Sequence, residues 1–132
     1  MATIDELLEA ARARLDRVTP QEAAAEVARG ALLVDIRAES QRAEDGTLEE
    51  ARFVPRNVLE WRLDPASEHR DPELASYERR VILMCNEGYQ SSLAAATLRD
   101  LGVDATDVIG GYQAWAAQGS DPSSRPLVER DS

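Results

Sequence analysis

The sequence predicts an α/β layer fold in which a mainly parallel sheet is covered by helices on both faces. Three observations predict it. The stretches 31–37 and 81–84 are almost continuously apolar, as strands buried on both faces are. Segments with helical periodicity separate and flank them. Glycines stand where those helices must stop, at Gly30, Gly46 and Gly102.

Taken in order, Thr3 followed by Glu6 is a capping-box pattern that opens a first helix. Ile4, Leu7, Leu8, Ala11 and Leu15 then recur at helical spacing and predict one apolar stripe. Thr19-Pro20-Gln21-Glu22 opens a second helix, with a cap, a proline at its first position and a glutamate at its third. Ala24, Val27 and Ala28 are its expected buried side. The strand at 31–37 ends in Asp35-Ile36-Arg37, and a short polar helix is expected over 38–45. Arg52-Phe53-Val54 predicts a short strand stopped by Pro55, and Asn57 a cap for a short helix carrying Val58, Leu59 and Trp61. Residues 64–77 are polar and proline-containing, which predicts loop with one helical turn. The strand at 81–84 runs straight into Cys85. Residues 85–90 have no periodicity and predict a loop. A helix over 91–101 follows, its face made of Leu93, Ala94, Thr97, Leu98 and Leu101. Val108-Ile109 predicts a short strand, and Gly110-Gly111 a turn into a last helix carrying Tyr112 and Trp115. The Ser-, Asp- and Pro-rich residues 120–132 predict a flexible tail. The expected organisation is thus an N-terminal amphipathic helix packed on the domain (1–17), the domain itself (18–119) and the tail.

At 132 residues with 43% hydrophobic and 30% charged residues, the chain fits a single globular domain. A net charge of −10 excludes the basic footprint of a nucleic-acid binder and disfavours an anionic membrane surface. No apolar run reaches transmembrane length. The N-terminus lacks the basic and apolar regions of a signal peptide, and one cysteine cannot form an internal disulfide, so the cytoplasm is the expected compartment. No metal-ligand spacing and no phosphate-binding glycine loop is present, which predicts no metal and no cofactor.

In parallel α/β sheets the ligand site lies beyond the carboxyl ends of the strands, where both Asp35-Ile36-Arg37 and the Cys85 loop stand. Successive amides of a tight loop form an anion nest, and a following helix adds the positive end of its dipole. A thiolate or persulfide at Cys85 would be stabilised there. Gly88 lets the backbone turn, and Ser91 and Ser92 can cap the helix or offer hydroxyl hydrogen bonds to sulfur. The plainer reading is that a lone cysteine is a small buried hydrophobe.

The segment Cys85-Asn86-Glu87-Gly88-Tyr89-Gln90-Ser91-Ser92 resembles the active-site loop of the rhodanese-like sulfurtransferases. Three further segments resemble that family in order and spacing: Leu33-Val34-Asp35-Ile36-Arg37, Arg52-Phe53-Val54-Pro55-Arg56-Asn57-Val58 and Val108-Ile109-Gly110-Gly111-Tyr112-Gln113-Ala114-Trp115. The resemblance covers residues 18 to 119. It implies a three-layer fold with a central, mainly parallel five-stranded sheet. It also implies a catalytic Cys85 that cycles through a persulfide, with Asn86, Glu87, Gly88, Tyr89, Gln90 and Ser91 forming the substrate-binding anion loop. The sequence departs from the family in two places. Glu87 and Gln90 stand in a loop where many relatives carry a basic residue, and Leu48-Glu49-Glu50-Ala51-Arg52 lacks the glycine usual before the second segment.

Around this loop, Asp35 and Arg37 are expected to tie loops together before they touch substrate. Arg56 and Arg62 could bring positive charge to the pocket or be solvated. Trp61 is a candidate pocket wall, Tyr112 and Trp115 are expected core anchors, and His69 is expected at the surface. The leading function is sulfur transfer from a small donor, thiosulfate or a persulfide, to cyanide, a small thiol or a protein thiol. The alternative is a non-catalytic binding or regulatory module. A cysteine phosphatase would need an arginine six residues beyond the cysteine, where Ser91 stands. A monomer or weak homodimer is expected.

Overall fold

The computed structural model describes residues 1–119, so the tail expected over 120–132 lies outside the described residues. Helices α1 (Ile4–Ala13) and α2 (Pro20–Ala28) lead into β1 (Leu32–Asp35), followed by α3 (Glu39–Asp45) and β2 (Ala51–Phe53). A 3-10 turn (Arg56–Val58) runs into α4 (Leu59–Leu63). Then come β3 (Arg80–Met84), α5 (Gln90–Asp100), β4 (Asp104–Asp107) and α6 (Gly111–Gly119). Both expected capping boxes form. Thr3 Oγ1 accepts from the Glu6 amide at 3.1 Å and Glu6 accepts from the Thr3 amide at 2.9 Å, and Thr19 and Glu22 repeat the pattern.

All strand pairs are parallel, in the order β2-β1-β3-β4. Alternate side chains divide between two cores. Leu32, Val34, Val81 and Leu83 face the side built by α4 and α5, with Leu59, Leu63, Ala94, Ala95 and Leu98. Leu33, Ile82 and Met84 face the opposite side with Ala23, Val108 and Tyr112. The sheet thus has four strands among the described residues where five were expected. An isolated parallel bridge between Val18 and Val108 occupies the place beside the end of β4, where the backbone pairs only through the Val18 and Ile109 amides. None of the described helices is long and apolar enough to cross a membrane.

Several local expectations are corrected. Ile4 and Leu7 are exposed, because only the end of α1 at Ala11 and Leu15 just beyond it lie against the core. Ala23, not Ala24 or Ala28, is the buried alanine of α2. Asn57 lies inside the 3-10 turn and caps nothing. On α5, Ser91, Ser92, Ala95 and Ala96 are buried along with Ala94 and Leu98, while Thr97 is exposed and bonds back to the Leu93 carbonyl. The last strand is Asp104–Asp107 rather than Val108-Ile109; its polar residues hid it.

Because the chain passes from β1 outward to β2 and then back across to β3, the winding direction reverses between the two central strands. Their carboxyl ends therefore splay their connections apart, and a crevice opens there. Cys85 is the first residue after β3.

Candidate active site

Cys85 is 2% exposed and lies at the floor of that crevice. Its loop wraps round the sulfur: the Gly88 amide donates to Sγ at 3.1 Å. Gly88 has φ +91°, and a Cβ there would lie 2.9 Å from the Gly110 amide nitrogen, so the turn requires glycine. Ser91, in the first turn of α5, has its Oγ 3.2 Å from Sγ and donates to Asp107 Oδ2 at 2.6 Å. A hydroxyl has one hydrogen, so toward the thiol Ser91 presents a lone pair and accepts from Cys85.

Asp107, at the carboxyl end of β4, is fully buried. It also accepts from the Ser92 hydroxyl at 2.8 Å and from Arg17, through Nε at 2.8 Å and Nη2 at 3.2 Å. With Ser92 and Arg17 in place, the carboxylate stays satisfied when Ser91 turns its hydrogen toward an ionised sulfur. The serine can thus serve both protonation states of Cys85.

Helix α6 closes the other side of the loop. The Tyr112 amide donates to the Cys85 carbonyl at 2.8 Å and the Gln113 amide to the Asn86 carbonyl at 3.1 Å. The Gln113 side-chain amide holds Asn86 Oδ1 at 3.0 Å. Gly111, φ +61°, makes this docking feasible, since a Cβ there would overlap the Cys85 carbonyl. The second glycine of the pair is therefore a device for bringing a helix N-terminus onto the cysteine loop.

The mouth over Cys85 is a cavity of about 220 Å³ lined by Gln41, Asn86, Glu87, Tyr89 and Gln90. Glu87 is the one charged side chain among those lining residues. A neighbouring cleft of about 270 Å³ shares Gln90 and is lined by Ile36, Arg37, Phe53, Pro55 and Arg56.

The remaining sequence candidates fall in different places. Asp35 and Arg37 are buried as a pair: Arg37 donates to Asp35 through its amide, Nε and Nη2, and its guanidinium lies 3.8 Å over the Tyr112 ring. Burial alone would raise the Asp35 carboxyl, but the hydrogen bonds and charge of Arg37, with Arg42, hold it below the usual value. Arg56 reaches the neighbouring cleft but is held by Glu60 at 2.9 and 3.0 Å. Trp61 and Arg62 are not brought to the cysteine. Trp61 is exposed between two shallow grooves away from it, and Arg62 binds the carbonyl of His69, which is itself at the surface. Arg12, Arg17 and Asp107 were not found from the sequence. For Asp107 a signal existed, since it precedes an apolar pair and a double glycine just as Asp35 closes β1. For the two arginines no local signal exists.

A family model for the rhodanese-like domain matches residues 19–118. No curated protein matches the chain. Among solved structures, a protein of unknown function from Rhodopseudomonas palustris, described as a "Possible Tyrosine Phosphatase", is 28% identical. It superposes with a TM-score of 0.81, covering 90% of this chain and 92% of that one. A rhodanese-like domain protein from Staphylococcus aureus is 21% identical, with a TM-score of 0.62 and coverage of 76% and 91%. A thiosulfate sulfurtransferase from Pseudomonas aeruginosa is 24% identical with a TM-score of 0.61, covering 80% of this chain but only 19% of that protein. The last two share the fold. The matched segment encloses the sheet, the cysteine loop and the double glycine, and the chain belongs to the rhodanese-like domain family.

Proposed function

We propose that the protein is a cytoplasmic sulfurtransferase in which Cys85 carries sulfane sulfur as a persulfide. The observation that carries this reading is the seat of Cys85: its sulfur faces a small cavity and is met by the Gly88 amide and the Ser91 hydroxyl. In the first step the Cys85 thiolate attacks the outer sulfur of a donor R–S–SH. The new bond joins Cys85 Sγ to that sulfur, the R–S–S bond breaks, and R–SH leaves with the proton. With thiosulfate the leaving group is sulfite. In the second step an acceptor thiolate or cyanide attacks the outer sulfur and returns the Cys85 thiolate. Neither step needs an external oxidant or reductant. The Gly88 amide and the Ser91 hydroxyl hold the anion in both resting forms.

The test is intact mass after incubation with thiosulfate or glutathione persulfide. One sulfur atom should be gained, and cyanide or a thiol should remove it. Cys85→Ser should neither gain sulfur nor transfer it; substantial transfer by this variant would sink the mechanism.

Two other readings have some support. The near-complete burial of Cys85 and the acidic mouth fit a non-catalytic module. The description of the Rhodopseudomonas relative raises phosphatase chemistry, but a phosphate dianion needs a cationic clamp, and the loop offers Gln90 and Ser91 at its end. Failure of the wild type to take sulfur from either donor would favour the module, and hydrolysis of p-nitrophenyl phosphate that depends on Cys85 would favour the phosphatase.

A further inference from the structure

We infer that Arg12 and Arg17, from the segment ahead of the part of the chain matched by the family model, are positioning residues for the Cys85 loop. They supply from behind the positive charge that the loop lacks. Residues 86–91 contain a glutamate and no cation. Yet the Gly88 carbonyl accepts from two guanidinium groups, Arg12 Nη2 at 2.7 Å and Arg17 Nη2 at 3.1 Å. The amide of that same residue donates to Cys85 Sγ. Fixing the carbonyl therefore fixes the orientation of the residue whose N–H meets the sulfur. The Ser92 hydroxyl lies 3.3 Å from the same carbonyl and closer, 2.8 Å, to Asp107.

The charges do not cancel. Arg17 is neutralised by the buried Asp107. Arg12 makes its other contacts with Ser92 Oγ, at 3.1 Å, and with the Tyr89 ring, 5.5 Å from its centroid. It has no carboxylate partner among the described residues, so one positive charge remains unpaired beneath the loop. Arg12 is presented there by α1, which packs on α5. A cation held close to a poorly solvated anion acts over several ångströms.

The consequence for a persulfide rests on the proposed sulfur transfer; the geometry itself applies to any anion at Cys85. Because Cys85 is the single cysteine, alkylation of the full-length protein reports on it alone. The probes are iodoacetate, an anion, and iodoacetamide, its neutral analogue, at one pH and low salt. Arg12→Gln should lower the iodoacetate-to-iodoacetamide rate ratio about three- to tenfold, and Arg12→Lys should largely restore it. Arg14→Gln, two residues further on and paired with Asp100, should leave it unchanged. An unchanged ratio in a folded Arg12→Gln, or an equal fall in Arg14→Gln, would overturn the inference. Should Arg12→Gln fail to fold, Arg12→Lys carries the test alone: a ratio near wild type supports the clamp, and a fall of the full size refutes the role of charge. A wild type that shows the ratio effect but never gains sulfur would refute the sulfurtransferase reading and leave the clamp standing.

Discussion

Ser91 gives its single hydroxyl hydrogen to Asp107, 2.6 Å away, and so meets the sulfur of Cys85 as an acceptor. The serine stands between a nucleophile and a carboxylate that has three further hydrogen bonds from Ser92 and Arg17. Removing Ser91 takes a partner from the sulfur without stranding the acid. Ser91→Ala should slow sulfur loading of Cys85 about tenfold while costing about 1 kcal/mol of stability. Mass-resolved loading kinetics beside a urea melt would measure both. Loading at the wild-type rate would show that the hydroxyl plays no part.

Glu87 is the one charged side chain lining the mouth over Cys85, where a donor of the proposed reaction would enter. Two like charges about 4 Å apart in water repel by about 1 kcal/mol, and screening reduces this further. Glu87→Gln should therefore raise kcat/KM for thiosulfate by severalfold, with a smaller gain for an uncharged persulfide donor. Identical donor preferences in the two proteins would place the carboxylate away from the approach path.

The turn at Gly88 and the docking at Gly111 are steric requirements. Gly88→Ala puts a Cβ 2.9 Å from the Gly110 nitrogen at a backbone angle L-residues avoid, and Gly111→Ala puts one into the Cys85 carbonyl. Each should cost about 2 kcal/mol or more and abolish loading even where the protein still folds. Thermal melts and mass after donor treatment would check this. Gly30→Ala, at φ +109° but with open space around its Cβ, should carry the backbone strain without the clash and should leave loading intact.

Asp35 sets a pH dependence. Its carboxyl is held below the ordinary value of 3.8 in the folded protein, against burial, by Arg37 and Arg42. A group lowered on folding stabilises the native state fully above its unfolded value, and that stabilisation is lost as pH falls through the unfolded value toward the folded one. Denaturant titrations should therefore show stability declining from about pH 5 downward. In Asp35→Asn this acid limb should flatten, and stability at neutral pH should fall by about 3 kcal/mol because Arg37 is left buried and unpaired. An acid limb of unchanged depth would assign it to other carboxylates.

What could be read from the sequence was what lies close together along it. β1 and β3 announced themselves because each is buried on both faces and is therefore apolar at all positions but one, Asp35 and Arg80. The Cys85 loop was legible because strand, glycine turn and helix start are contiguous. β4 was not, since three of its four residues, Asp104, Thr106 and Asp107, are polar, and the buried Asp107 is bound by Arg17 from far along the chain. Arg17 is 90 residues from Asp107, and Arg12 is 76 from Gly88, separations at which no periodicity or spacing rule operates. Trp61 misled for the opposite reason: a large aromatic beside an expected pocket segment suggested a wall, but its helix turns it outward.

The meeting of Val18 with Val108 and of Arg17 with Asp107 also means that the seat of Cys85 is completed late in synthesis. A ribosome delivers residue 85 before it has delivered Asp107, Gly111 or Tyr112. A nascent chain at that stage has its nucleophile but neither the buried acid nor the helix that closes the loop. Until α6 docks, the Cys85 loop lacks the Tyr112 and Gln113 amides that hold its carbonyls. Because these closing contacts join the two ends of the domain, they belong to the slow, long-range part of folding. The seat of Cys85 is therefore completed only when the segments around Arg17 and Asp107 have found each other.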